Sequence, residues 1–188
     1  MKTTSATLLF QYWDNLRGER AAPERGEIEP GAMRHALLDT FILEAEADGL
    51  HFRLAGTRLC AMFGEELKGR ALLGLFQDPA TRIELSRVTD AVMDDSAGAL
   101  TGLAARTRDG DLAELELLLL PLRHGGKTHA RMLGSLSPLN PPAWLGQKPL
   151  VDAAVRSMRI IWPSGRARAP LTPEARRARL TVLPGGRR

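Results

Sequence analysis

The chain is poor in the residues that build cross-linked or reactive sites. It has one cysteine, Cys60, in 188 residues, which excludes an internal disulfide framework and a zinc site made of several thiolates. It has one tyrosine and four histidines, and it lacks any apolar run of the roughly 18 residues that a membrane-crossing helix needs. The longest such run, "LLLLPL" at 117–122, is the length of a strand. The opening "MKTTSATLLFQYW" turns polar too soon for a secretory leader. Together these absences read as a soluble, cytoplasmic protein with no membrane span. The chain is long enough to bury a core without staples.

Acidic charge is missing from one region only. From Pro163 onward the chain carries seven arginines and a single acid, Glu174. That leaves 19 basic and 21 acidic residues in 1–162, so the body is slightly acidic and the tail strongly basic. Such a tail attracts phosphates or anionic lipids without specificity. No aromatic side chain lies among its arginines to stack on bases as single-strand binders require. A dedicated nucleic-acid partner is therefore not expected, and weak association through the tail is the third-ranked reading.

Periodicity supplies the rest. Leu8, Leu9, Tyr12, Trp13 and Leu16 share one stripe of a helix over 5–17, closed by Gly18. The polar, Pro- and Gly-rich segment "ERAAPERGEIEPG" is irregular. Alternation around Asp48-Gly49 predicts a hairpin, "TFILEAEADGLHFRLAG". Thr57 is expected to cap a short helix ended by Gly64, and Asp78 with Pro79 to open a longer one. Three further strands follow, "ALTGLAARTR", "LAELELLLLPLR" and "KTHARMLGSLSPL", with glycine turns at Gly110 and Gly125-Gly126. Residues 150–162 fit a strand or a helix equally. The expected architecture is α+β: a five-stranded antiparallel sheet, helices on one face and the N-terminal helix on the other. The chain divides into an N-terminal helix and linker (1–38), a central domain (39–139), an extension (140–162) and the basic tail (163–188), whose order the sequence leaves open.

Three stretches in this order resemble a PAS domain over Asp39 to Leu139: "FRLAGTRLCAMFGEELKGRALLGLF", "ARTRDGDLAELEL" and "ARMLGSLSPL". The flanks, with "YWDNLRGERAAPERGEIEP", are similar to small stand-alone PAS proteins of alphaproteobacteria. The resemblance implies a sensory or regulatory protein that works through a partner, with no enzymatic activity of its own. It also implies a cavity between sheet and long helix. Alternation would line that cavity with Leu115, Leu117 and Leu119, with Ala130, Met132 and Gly134, and with Ile83 and Val88 from the helix. Either a small apolar ligand occupies that space, or the core is fully packed and the domain is an interaction module alone.

The familiar cofactor chemistries find no residues here. Flavin-adduct PAS photoreceptors carry a cysteine where this sequence has Leu72, preceded by an asparagine where it has Ala71. Cys60 falls in an apolar helix, where a thiol is ordinarily an inert space-filler. The long helix lacks the histidine that haem-binding relatives use, and His51 and His129 are expected to face outward. Glu44, Glu46, Glu114 and Glu116 alternate along strands as solvated outer-face residues. No catalytic residue, metal site or cofactor is therefore expected.

The strand "LAELELLLLPLR" is apolar on both faces, because Leu118, Leu120 and Leu122 back onto Leu117 and Leu119. The stripe of Leu8, Leu9, Tyr12, Trp13 and Leu16 is the natural cover. The sequence reading places helix and sheet patch together in a two-fold homodimer interface, with a folded-back monomer as the alternative.

Overall fold

A computed structural model describes residues 1–95, 97–125 and 127–162. Helix α1 (Thr4–Arg17) opens the chain, with the Thr3 hydroxyl accepting from the Ala6 N–H and Gly18 ending it at φ 56°. An irregular segment with three single turns leads to β1 (Thr40–Glu46) and β2 (Gly49–Ala55). Helices α2 (Thr57–Phe63) and α3 (Pro79–Asp95) follow, then β3 (Gly98–Thr107), β4 (Leu112–His124), β5 (Lys127–Pro138) and β6 (Leu150–Ile161). The strands form one antiparallel sheet in the order β2-β1-β5-β4-β3-β6.

The sheet thus has six strands, one more than expected, because residues 150–161 pair with β3 along its whole length. Two register shifts, near Gly102 and Arg106, break the two-residue alternation that identifies a strand from sequence. Residues 156–159 are all exposed, so no apolar face marked them either.

The short helix differs from expectation at its start. Gly56, not Thr57, is the N-cap of α2, and no side chain caps it. A Cβ at Gly56 would stand 2.3 Å from the carbonyl oxygens of both Leu37 and Leu38. Only glycine lets the chain turn that close to its own backbone. At α3 the expectation holds: the Asp78 carboxylate accepts from the Thr81 N–H at 2.9 Å and from its hydroxyl at 2.8 Å, which holds its pKa below the usual carboxylate value.

The sheet separates two cores. One face packs on α2, the turn Leu72–Leu75 and α3 around Phe41, Phe52, Leu85, Val88 and Leu117. The other packs on α1 around Leu9, Trp13, Ile42, Leu118, Leu120 and Leu133.

Candidate functional site

The first place to look is the space between the sheet and α3. Val88, Leu115, Leu117, Leu119 and Met132 do point there, as alternation predicts, and each is 1% exposed or less. They pack together in one core cluster. Phe41 and Phe52 meet edge-to-face with centroids 5.5 Å apart, and the Phe41 ring lies over Gly134. A Cβ added at Gly134 would be 2.3 Å from that ring. The small residue makes room for an aromatic ring of the chain itself. Ala130 is only half-buried. Ile83 does not belong to this lining: it is 54% exposed. The inward stripe of α3 is Leu85, Val88 and Val92, and Ile83, five residues before Val88, sits about 140° round the helix from it. One polar group stands out in this core. The Thr101 hydroxyl is buried with no hydrogen-bond partner.

On the opposite face, the residues expected at an interface between copies meet within one chain. Leu9, Trp13, Leu118, Leu120 and Leu122 are wholly buried within one chain, because α1 folds back on its own sheet. The Trp13 indole N–H donates to the Pro121 carbonyl at 2.8 Å. Tyr12 and Leu16 flank this core half-buried. The Tyr12 hydroxyl accepts from the Glu29 N–H at 2.8 Å and so fastens the irregular segment to α1. Leu8 lies off the covered face and is 37% exposed.

The seat of α1 is polar at one end, which the alternation of Glu114 and Glu116 did not reveal. Glu116 is buried, and its carboxylate accepts from the backbone N–H groups of Lys2 (2.9 and 2.8 Å) and Thr3 (2.8 Å) and from the Thr3 hydroxyl (2.8 Å). Burial raises its pKa, but these donors outweigh that, and the net shift is downward. Donors left open at a helix start favour a carboxylate there. Two strands away Asp39, also buried, accepts from the Ser5 hydroxyl at 2.6 Å and the Ser137 hydroxyl at 3.0 Å. The Arg58 guanidinium stands 3.0 Å from its other oxygen. The first turn of α1 is therefore held by two buried carboxylates from the sheet side. An open cleft of about 420 Å³ adjoins Glu116, between Lys2 and Arg159.

Asp152 on β6 is buried too; its carboxylate accepts from the Gln77 N–H at 3.0 Å and the Arg106 guanidinium at 2.8 Å. The hairpin carries a more exposed cluster. His51 is held between the Gly69 carbonyl (3.2 Å) and the Asp48 carboxylate (2.9 Å). Two acceptors are satisfied together only by the protonated ring, and its pKa is raised, by the Gly69 contact first and by Asp48 after it. Glu46, Asp48 and His51 bring ligand atoms within 4.8 Å of one another, but the two acids are exposed and the His51 nitrogens are taken. The side chain of His129 lies outside the described residues. Cys60 is half-buried rather than buried, packed against the inner core with Glu66 at 3.7 Å. Among the described residues no helix is long and apolar enough to cross a membrane.

Comparison with known proteins agrees with this architecture. A family model described as PAS domain matches residues 1–137, and so takes in α1 and the strands β1–β5 but not β6. No curated protein matches the chain. Among solved structures, it is similar to a light-oxygen-voltage domain described with a flavin analogue, at 16% identity over 58% of this chain and 83% of that one, TM-score 0.47. The dark structure of the LOV domain of the blue-light photoreceptor aureochrome is similar at 16% identity, over 58% and 81% of the two chains, TM-score 0.46. The PAS domain of a protein from Colwellia psychrerythraea is similar at 18% identity, over 58% and 97%, TM-score 0.41.

Proposed function

Because the chain belongs to the PAS domain family, whose role is sensory or regulatory, we propose that it is a non-enzymatic regulatory protein that acts by contact with a partner protein. The observation that carries this reading is the filled interior. Leu115, Leu117, Leu119, Met132 and Val88 pack on one another, and the Phe41 ring occupies the space over Gly134. A regulatory domain whose core is its own side chains has its surface left to work with. No cofactor is part of this proposal, since Leu72 takes the place of the adduct-forming cysteine and is itself buried.

One observation favours a second reading, gating by a small, mainly apolar ligand. The Thr101 hydroxyl is buried without a partner, which costs about 1–3 kcal/mol that a ligand bearing one polar atom could recover. The test is a native mass spectrum of the protein purified without additions, set beside a denatured one. A bare chain in both supports the partner reading. Extra mass that leaves on denaturation overturns the packed-core reading and weighs the ligand. The same spectrum reads the oligomeric state.

A further inference from the structure

The two edges of the sheet are finished differently. At β2 the segment Gly69–Ala71 closes the edge: the Phe52 N–H donates to the Arg70 carbonyl at 2.9 Å, and the Gly69 N–H to the Phe52 carbonyl at 2.7 Å. At the other side β6 is the last strand. Among the described residues, no backbone hydrogen bond from another segment reaches its outer edge. β6 also lies beyond residues 1–137, which the family model matches, so it gives the sheet an edge that the matched region lacks. We propose that this edge, at Ser157–Ile161, takes up an extended segment of the partner protein as a seventh strand, one that alternates acidic and apolar residues. The proposal rests on the partner reading above.

Backbone, side chains and charge select this occupant. Ser157–Ile161 runs opposite Gly102–Gly98 in unbroken register, without the proline or bulge that commonly blunts an exposed edge. Ile160 packs on the inner core and Ile161 on the outer one, so alternation puts Met158 on the inner side and Arg159 on the outer. Met158 is 48% and Trp162 45% exposed, an apolar strip left open along the edge. On the outer side Lys2 and Arg159 border an open cleft of about 420 Å³. Both are exposed, and neither has an ion pair among the described residues. Glu116 lines the same cleft, but its carboxylate is taken by the Lys2 and Thr3 N–H groups and the Thr3 hydroxyl. The adjoining cleft at Ile160–Trp162 adds Met1 and Thr7 and no acid. A strand with carboxylates on one face and apolar side chains on the other therefore meets cations outside, and Met158 and Ile160 inside. Main-chain pairing supplies the affinity of such an addition, and complementary charge the choice of strand. A second copy fits worse. Its β6 would set Arg156 and Arg159 of both chains along one pair of strands, where like charges are destabilising. The one acid of β6, Asp152, is already held by Arg106.

The test titrates the full chain with the end-blocked peptide Glu-Val-Glu-Val-Glu-Val-Glu and follows amide shifts and hydrogen exchange by NMR. Strand addition predicts slowed exchange at those amides of Ser157–Ile161 that do not donate to β3, with β2 unchanged. The lysine counterpart of the peptide should bind more weakly. An acidic peptide with proline at its centre cannot pair and should leave these amides unprotected. Each exposed carboxylate–arginine pair is worth a factor of about 1.5–5 in population, so Arg159→Glu should weaken the acidic peptide by that factor or more. Absence of protection at Ser157–Ile161, equal binding of the lysine peptide, or protection that survives the proline overturns the proposal. So does protection of the same amides in the free chain: if it rises with protein concentration the occupant is a second copy, and if it does not, a segment of the same chain. Failure on any of these arms leaves the partner reading standing, because that reading fails instead on extra mass in the native spectrum.

Discussion

The two faces of the sheet are covered in different ways. The inner face meets α2, α3 and the turn Leu72–Leu75 in a core made almost wholly of aliphatic and aromatic side chains. The outer face meets α1 through a similar apolar patch, but the first turn of that helix rests on Glu116 and Asp39. Apolar contact is non-directional, whereas Glu116 accepting from Lys2 and Thr3, and Asp39 accepting from Ser5, fix where the helix starts. The inner cover is held by shape, and the outer cover by shape at one end and charge at the other.

The sharpest way to break this comparison is Leu120→Asp. Leu120 is wholly buried under α1 in a single chain, so the variant puts an unpaired charge into the outer core. We expect a loss of more than about 4 kcal/mol, seen as loss of the cooperative denaturant transition. A fold that survives intact, with only its native mass halved, would return the outer face to an interface between copies.

Next in size comes the inner face, where Gly134→Ala tests how tightly it is filled. The new Cβ meets the Phe41 ring at 2.3 Å and the Leu118 carbonyl at 2.6 Å. Phe41 can shift, but a backbone oxygen in mid-sheet cannot. Overpacking of this kind costs about 1–3 kcal/mol, read as a lower midpoint in urea with the slope unchanged. A neutral result would mean spare room beside the ring, and the ligand reading would gain from it.

The inner face was the more legible of the two. Alternation on β4 and β5 placed Leu115, Leu117, Leu119 and Met132 on the inner face, because successive side chains of a strand point to opposite faces. What alternation cannot give is volume, so it listed Gly134 as possible space when Phe41, from a strand about ninety residues earlier, fills it. Ile83 failed for a related reason: scattered apolar positions in a helix define a stripe only once its phase is known, and Leu85, buried with Val88 and Val92, sets that phase. The apolar part of the outer face was legible too, since Leu118, Leu120 and Leu122 demanded a cover. Its polar end was not. A glutamate on alternating strand positions reads as solvated, and nothing local to β4 says that the start of a helix more than a hundred residues away will descend on it.

The polar end of α1 offers a smaller effect with a definite sign. Glu116→Gln keeps the shape but removes the charge that its three donors address, and charge-assisted bonds of this kind contribute about 1.5–3 kcal/mol. The loss should appear as faster hydrogen exchange in α1, with β3–β5 little changed. The pH dependence follows from the lowered pKa. The contribution is fully present above the unfolded value of about 4.3 and disappears as pH falls through the lower folded value. In the parent, α1 amides should lose protection in that acidic window before the inner core does; in Glu116→Gln the step should be missing. A step that persists in the variant would move the acid-sensitive group elsewhere.

The smallest expected effect lies on the hairpin, where electrostatics works without burial. His51 donates toward the Gly69 carbonyl and faces the Asp48 carboxylate, so its NMR titration midpoint should lie above the ordinary 6.5. Asp48→Asn should bring it down while leaving the Gly69 contribution in place. The sign is opposite to that at Glu116. A raised pKa adds stability below the unfolded value and loses it as pH rises through the folded one, so the tie between β2 and the Gly69–Ala71 segment weakens toward neutral pH. Because the Asp48 carboxylate is exposed, salt should shrink its part of the shift and spare the part due to the backbone carbonyl. If salt and Asp48→Asn leave the midpoint unmoved, the carbonyl alone sets it, and the surface carboxylate is a bystander where the buried Glu116 is a fastening.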